Sequence, residues 1–118
     1  MKNLPLGTAL LAALAAPVMA EDITVGFAIA KSGWMEAYDS PAATAAKIRI
    51  DEINAAGGLL GGQIKWIEAD TRTDRAEAAK AGLDLVDQGA QMLVVSCDYD
   101  FGAPSALVAE GEGMNSFF

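Results

Sequence analysis

The run "QMLVVS", residues 91–96, carries apolar side chains at four consecutive positions, Met92 to Val95, with no polar alternation. A strand exposed to water on one face alternates. A run like this one suits a strand buried on both faces, and such strands belong to parallel sheets covered by helices on each side. The stretch therefore limits the chain to an α/β architecture more sharply than any other feature of it.

The flanking segments agree. "DITVGFAIA", residues 22–30, is short, apolar and β-branched and stops at Lys31-Ser32-Gly33, as a buried strand followed by a loop does. The loop of residues 31–40 ends at Pro41, whose fixed φ suits a first helical turn, with Ser40 as its N-cap. The helix that follows, "AATAAKIRIDEINAAGG", places Ala43, Ala46, Ile50 and Ile53 on one stripe and ends at Gly57-Gly58. "QIKWIEAD", residues 63–70, alternates only partly, as a strand at or near a sheet edge does. In "TDRAEAAKAGLDLVDQGA" the Asp74 and Glu77 pair marks a helix start, Ala79, Leu83 and Val86 share a face, and Gly89 ends the segment. After the 91–96 strand, "PSALVAEGEG" predicts a short helix beginning at Pro104, and "MNSFF" predicts the start of a fourth strand.

Strand and helix in strict alternation specify a Rossmann-like open parallel sheet with right-handed crossovers. No internal repeat, linker or low-complexity run interrupts residues 21–118. In such sheets ligands bind where the winding direction reverses, at the carboxyl ends of the first and third strands. The loops bordering that point here are residues 31–40 and 96–103.

Those loops hold Trp34, Tyr38, Tyr99 and Phe101, half of the aromatic residues of the chain. Rings beside a crevice supply flat apolar walls for a small ligand, and neighbouring hydroxyls and backbone amides fix its polar groups. The alternative use of the rings is packing down over the sheet edge as a minor core. Met35 belongs to packing. Asp98 and Asp100 either face a cationic or amide group or cap the helix that begins near Pro104, with Asp100 the first choice for the cap. The N–H groups at that helix start also offer an anion site, so Gly102 and Ala103 are candidates for presenting backbone to a ligand carboxylate. "GGLLGG", residues 57–62, lacks the Gly-Lys-Ser/Thr ending of a phosphate-binding loop and precedes a strand, so it reads as a turn.

Charge and composition exclude several chemistries. The formal net charge is −8 in 118 residues, which disfavours nucleic acid and anionic membranes as partners. There is no histidine, hence neither the commonest general base nor the commonest metal ligand. No cofactor or metal is implied. Cys97 is the only cysteine, so no internal disulfide forms. It reads as a small buried residue at a strand end, with a reactive thiol, or a pairing beyond the chain, as the other readings.

Residues 1–20, "MKNLPLGTALLAALAAPVMA", combine Lys2, an apolar run over residues 9–16 and a small-residue ending at Ala20, the pattern of an export signal cleaved after Ala20. The apolar run is shorter than the roughly 20 residues that span a bilayer, which argues against a membrane anchor. No cysteine near the cut offers a lipid site.

Taken together, "ITVGFAIAKSGWMEAYD", "IDEINAAGGLLGGQIKWIEADTRTD" and "LVDQGAQMLVVS" resemble the N-terminal lobe of the leucine/isoleucine/valine-binding-protein family, the type I periplasmic solute receptors of ABC importers. "EINAAGGLLGGQI" is the most specific part. The resemblance implies a partial first lobe over residues 21–118 of a receptor whose two lobes close on a small solute in the periplasm and dock on a membrane permease. It also implies ligand contact by Tyr38 and by the 96–102 loop, so the expected site is Trp34, Tyr38, Ser96, Asp98, Tyr99, Asp100, Phe101 and Gly102. The family loop is rich in serine and threonine, whereas this one reads Asp98-Tyr99-Asp100-Phe101. That departure directs the expectation from a branched-chain amino acid toward an amide, urea-like, cationic or aromatic solute. Family members are roughly three times longer, so the second lobe is expected outside these residues. The rival readings are an exported flavodoxin-like enzyme using Asp98 or Asp100 as acid or base, and a ligand-sensing receptor domain of a signalling protein.

Overall fold

A computed structural model of the chain describes residues 20–118; the export signal read at residues 1–20 falls, apart from Ala20, outside the described residues. The elements are β1 (Ile23–Ile29), α1 (Glu36–Ala55), β2 (Ile64–Asp70), α2 (Arg75–Asp87), β3 (Met92–Val95), α3 (Tyr99–Gly111) and β4 (Asn115–Phe117). The four strands form one parallel sheet in the order β2-β1-β3-β4. β2 is thus an edge strand, as its mixed polarity requires, and β3 is central, as its unbroken apolar run requires. Among the described residues no helix is long and apolar enough to cross a membrane.

Alternation within β1 divides the core. Val25, Phe27 and Ile29 pack with Ala43 and Ile50 of α1, together with Ile64, on one face. Ala28 faces the other way, with Leu93, Val95, Ala81 and Leu85 of α2 and Ala109 of α3. Helices therefore lie on both sides of the sheet, and the winding reverses between β1 and β3. The β1–β3 register pairs Ala28 with Val95, so the two strands end level with one another.

Three local expectations are corrected. First, α1 begins at Glu36, not after Pro41, which lies inside it. Gly33, at φ +81°, reverses the chain directly after β1, and the N–H groups of Tyr38 and Asp39 already bond the Met35 carbonyl. Pro41 forfeits one helical hydrogen bond; burial of Met35 and two backbone bonds to the Asp39 carboxylate offset it. Second, α3 begins at Tyr99 with Asp98 as its N-cap, not at Pro104 with Asp100. Pro41 and Pro104 each stand five residues beyond the first helical residue. Third, α2 buries Ala78, Ala81, Gly82 and Leu85, and Leu83 is exposed. Small residues win that face because α3 lies close against it, where the Ser105 hydroxyl donates to the Ala78 carbonyl at 2.6 Å.

The Asp74 cap stands as read, its carboxylate accepting from the N–H groups of Ala76 and Glu77. The glycine-rich stretch is a two-residue turn, closed by reciprocal backbone bonds between Leu59 and Gly62 of 2.8 and 3.0 Å.

Candidate functional site

The segments after β1 and β3 leave the same rim of the sheet side by side. They meet through aromatic rings: Trp34 makes edge-to-face contacts with Tyr38, centroids 6.2 Å apart, and with Phe101 across the gap, at 5.7 Å. Trp34, Met35, Tyr38, Cys97 and Asp98 line an open crevice of about 250 Å³. Trp34 is 62% exposed and Tyr38 63%, so both are available to a ligand, while Met35 is buried as packing.

Two carboxylates that sequence reading missed hold this arrangement. Asp39 is 3% exposed, and its Oδ2 accepts from the Ala30 N–H at 2.8 Å while its Oδ1 accepts from the Cys97 N–H at 3.1 Å. One side chain thereby ties the end of β1 to the segment after β3. On the outer flank, Asp70 accepts from the N–H groups of Lys31 and Arg72 and from the Ser32 hydroxyl, each at 2.8 Å. Burial pushes the Asp70 carboxyl upward, but these bonds and the Arg72 charge outweigh it and hold the group below the usual carboxylate range. The Thr73 hydroxyl adds a bond to the Ser32 carbonyl at 2.8 Å. Arg72 and Thr73 reach their positions at φ +53° and +54°, a strained setting for a β-branched residue.

The expected site residues separate into two groups. Trp34, Tyr38 and Asp98 line the crevice, and Phe101 joins them through its contact with the Trp34 ring. Ser96 and Gly102 are buried: the Ser96 hydroxyl has no hydrogen-bond partner among the described residues, and a β-carbon at Gly102 would stand 2.4 Å from the Ser96 carbonyl oxygen. Tyr99 and Asp100 turn away. Tyr99 stacks on Phe118 at 6.0 Å, and Asp100 pairs with Arg75 of α2 at 3.3 Å. The backbone anion site expected at Gly102 is not available either. The N–H groups of Phe101 and Gly102 both donate to the Asp98 carbonyl, at 3.1 and 2.8 Å, and Ala103 lies within α3.

Cys97 is exposed and not buried as read, because its side chain lies on the crevice side of the rim. Partial burial pushes the thiol up, and the hydrogen bond and charge of Asp39 push it further, so the sulfur stays protonated and weakly nucleophilic. Larger hollows lie elsewhere, one of about 320 Å³ between α3 and β4 and one of about 340 Å³ beside α2 and β2. Neither sits where the winding reverses; the first is walled mainly by apolar side chains, and the charged side chains of the second include the Arg72–Glu77 and Lys80–Glu77 pairs. Among the described residues no group of three or more His, Cys, Asp or Glu side chains is placed to hold a metal.

A sequence model of the family described as periplasmic binding protein matches residues 22–118. The Leu/Ile/Val-binding protein of Escherichia coli (strain K12) is 28% identical over 96 residues, covering 81% of this chain and 26% of that protein. The Leu/Ile/Val-binding protein BraC3 of Rhizobium johnstonii is 33% identical over 86 residues, 72% of this chain and 23% of the relative. The chain thus spans about a quarter of the length of the curated relatives it matches. Among solved structures, the branched-chain amino acid transporter substrate binding protein LivJ of Streptococcus pneumoniae, in complex with isoleucine, superposes with a TM-score of 0.76 at 32% identity, over 80% of this chain and 28% of that one. The leucine binding protein LivK of Thermotoga maritima matches in fold, with a TM-score of 0.69 at 17% identity, over 80% of this chain and 26% of that one.

Proposed function

The chain belongs to the periplasmic binding protein family, and on that premise we propose that it supplies the first-lobe wall of a solute receptor for an ABC importer. The receptor captures an amino acid or a related small solute (amide, urea-like or cationic) in the periplasm and hands it to a membrane permease. Residues 1–20 direct export and are removed, and the chain performs no turnover of its own. The names of the relatives, which are binding proteins for leucine, isoleucine and valine, support the solute class.

The observation that carries this reading is the shared rim, where Trp34 and Tyr38 from one segment and Asp98 from the other line an open crevice and Phe101 meets the Trp34 ring. Trp34, Tyr38, Asp98 and Phe101 are the proposed ligand contacts. A half-open crevice suits capture by closure: a solute touching walls on two lobes stabilises the closed state over the open one by the difference in contacts. The described residues provide one wall, so the chain by itself binds at millimolar and not micromolar concentration. Isothermal titration with a panel of amino acids, amides and organic cations, followed by analysis of the solutes for chemical change, tests both statements. Micromolar binding by residues 21–118 alone would contradict capture between two walls, and consumption of a solute would return the enzyme reading.

A further inference from the structure

We propose that this crevice is a half-site for a small organic cation, with an ammonium-type head group seated against Trp34 and Tyr38 and its charge met by Asp98. The inference rests on the solute-receptor reading and narrows its ligand class.

Four backbone donors of this rim that could hold an anion are already occupied. The Cys97 N–H donates to Asp39 at 3.1 Å and the Asp100 N–H to the Asp98 carboxylate at 2.9 Å. Those of Phe101 and Gly102 donate to the Asp98 carbonyl. Among the described residues no cationic side chain lines the crevice. Arg75 pairs with Asp100, Arg72 with Glu77 and Lys31 with Glu68. A ligand carboxylate would meet unpaired negative charge and no donor among these groups.

A cation meets the opposite situation. Asp98 uses Oδ1 to cap α3, and its Oδ2 makes no hydrogen bond or ion pair among the described residues. The exposed rings of Trp34 and Tyr38 supply negative π-faces at the same wall. Among the described residues the cation–π pairs are both made by Lys47, with Phe27 and Trp66, so neither crevice ring has a resident cation. Asp39, directly behind Cys97, adds to the field. At the same wall the Cys97 thiol is raised first by burial and then by the hydrogen bond and charge of Asp39, with a smaller push from Asp98.

The test holds shape constant and varies charge. Choline, 3,3-dimethylbutan-1-ol and 3,3-dimethylbutanoate share a tert-butyl-like head and carry positive, zero and negative charge; L-leucine serves as the zwitterion. Each is titrated to millimolar concentration into the full chain while the indole N–H resonances of Trp34 and Trp66 are followed, Trp66 on β2 being the internal reference. The expected result is movement of Trp34 alone, with choline about fivefold tighter than the neutral alcohol and the butanoate weakest. Asp98→Asn keeps a good helix cap and removes the charge, so it should bring choline down to the alcohol. Binding of the butanoate or leucine as tight as choline, or an unchanged choline preference in Asp98→Asn, overturns the cation assignment and leaves the solute-receptor reading standing. Silence of Trp34 toward all four overturns the half-site, and the solute-receptor reading is then decided by the wider titration panel.

Discussion

Replacing Asp39 with alanine should loosen both crevice segments at once. The carboxylate holds the Ala30 N–H, on a residue with 0% exposure, and the Cys97 N–H, on an exposed residue. A buried donor left without its acceptor costs about 1–3 kcal/mol. The Ala30 N–H has no route to water and should cost near the top of that range; the Cys97 N–H can recruit solvent and should cost near the bottom. The sum is about 4 kcal/mol, which for a fold of this size lowers the melting temperature by roughly 15–30 °C. Asp39→Asn should fall between the two, since its amide oxygen can serve one N–H while its amide nitrogen opposes the other. Thermal unfolding by circular dichroism gives the stability, and hydrogen exchange gives the location: the amides of Ala30 and Cys97 should lose more protection than the amides of β2. Asp51→Asn, on the exposed side of α1, is the control and should change stability by less than about 0.5 kcal/mol. The reasoning fails if Asp39→Ala melts with that control, or if it destabilises while the two amides exchange as before.

Other consequences follow from the same geometry. Gly102→Ala should destabilise by about 2 kcal/mol despite the better helix propensity of alanine, because the added methyl meets the Ser96 carbonyl oxygen at 2.4 Å and the Phe118 ring at 2.7 Å; equilibrium urea unfolding measures it. Leu60, 86% exposed at φ +52° in a two-residue turn before Gly61, should gain about 0.5–1 kcal/mol on Leu60→Asn, since asparagine tolerates that backbone region and leucine does not. Asp70 has its folded-state pKa depressed, so its contribution is fully present above the unfolded carboxylate range and is lost as pH falls through the lower folded value. Acid unfolding curves should therefore flatten below about pH 4 in Asp70→Asn. The Cys97 thiol, raised by burial and by Asp39, should be alkylated by iodoacetamide with a pH midpoint above that of the unfolded chain, and Asp39→Asn should shift the midpoint down.

Element order was legible in the sequence because it depends on periodicity, and the unbroken run at Met92 to Val95 could only be a central strand. Helix starts were less legible. Pro41 and Pro104 are strong local signals for a first turn, yet both helices begin five residues earlier, where tertiary bonds to Asp39 and the Asp98 cap outweigh the prolines. The core face of α2 went to Ala78, Ala81, Gly82 and Leu85 because close approach of α3 favours small side chains, a fact that hydrophobic spacing within one helix does not contain. Trp34 and Tyr38, singled out by aromatic enrichment after β1, and Asp98, singled out as an acid after β3, line one crevice. Asp39 left no comparable mark: an acid near a helix start is ordinary, and its role arises only when two segments distant in the chain converge on it. Asp70 was similarly hidden, although an acid closing an edge strand beside β1 was a usable clue.

The convergence of those two segments is open to a direct check. A two-dimensional nuclear Overhauser spectrum of the chain should contain cross-peaks between the Trp34 indole and the ring protons of Phe101, whose centroids lie 5.7 Å apart, and between Trp34 and Tyr38 at 6.2 Å. Absence of the Trp34–Phe101 peaks, with Phe101 instead in contact with residues of β2, would put the aromatic and acidic turns on different rims and leave no crevice for a solute.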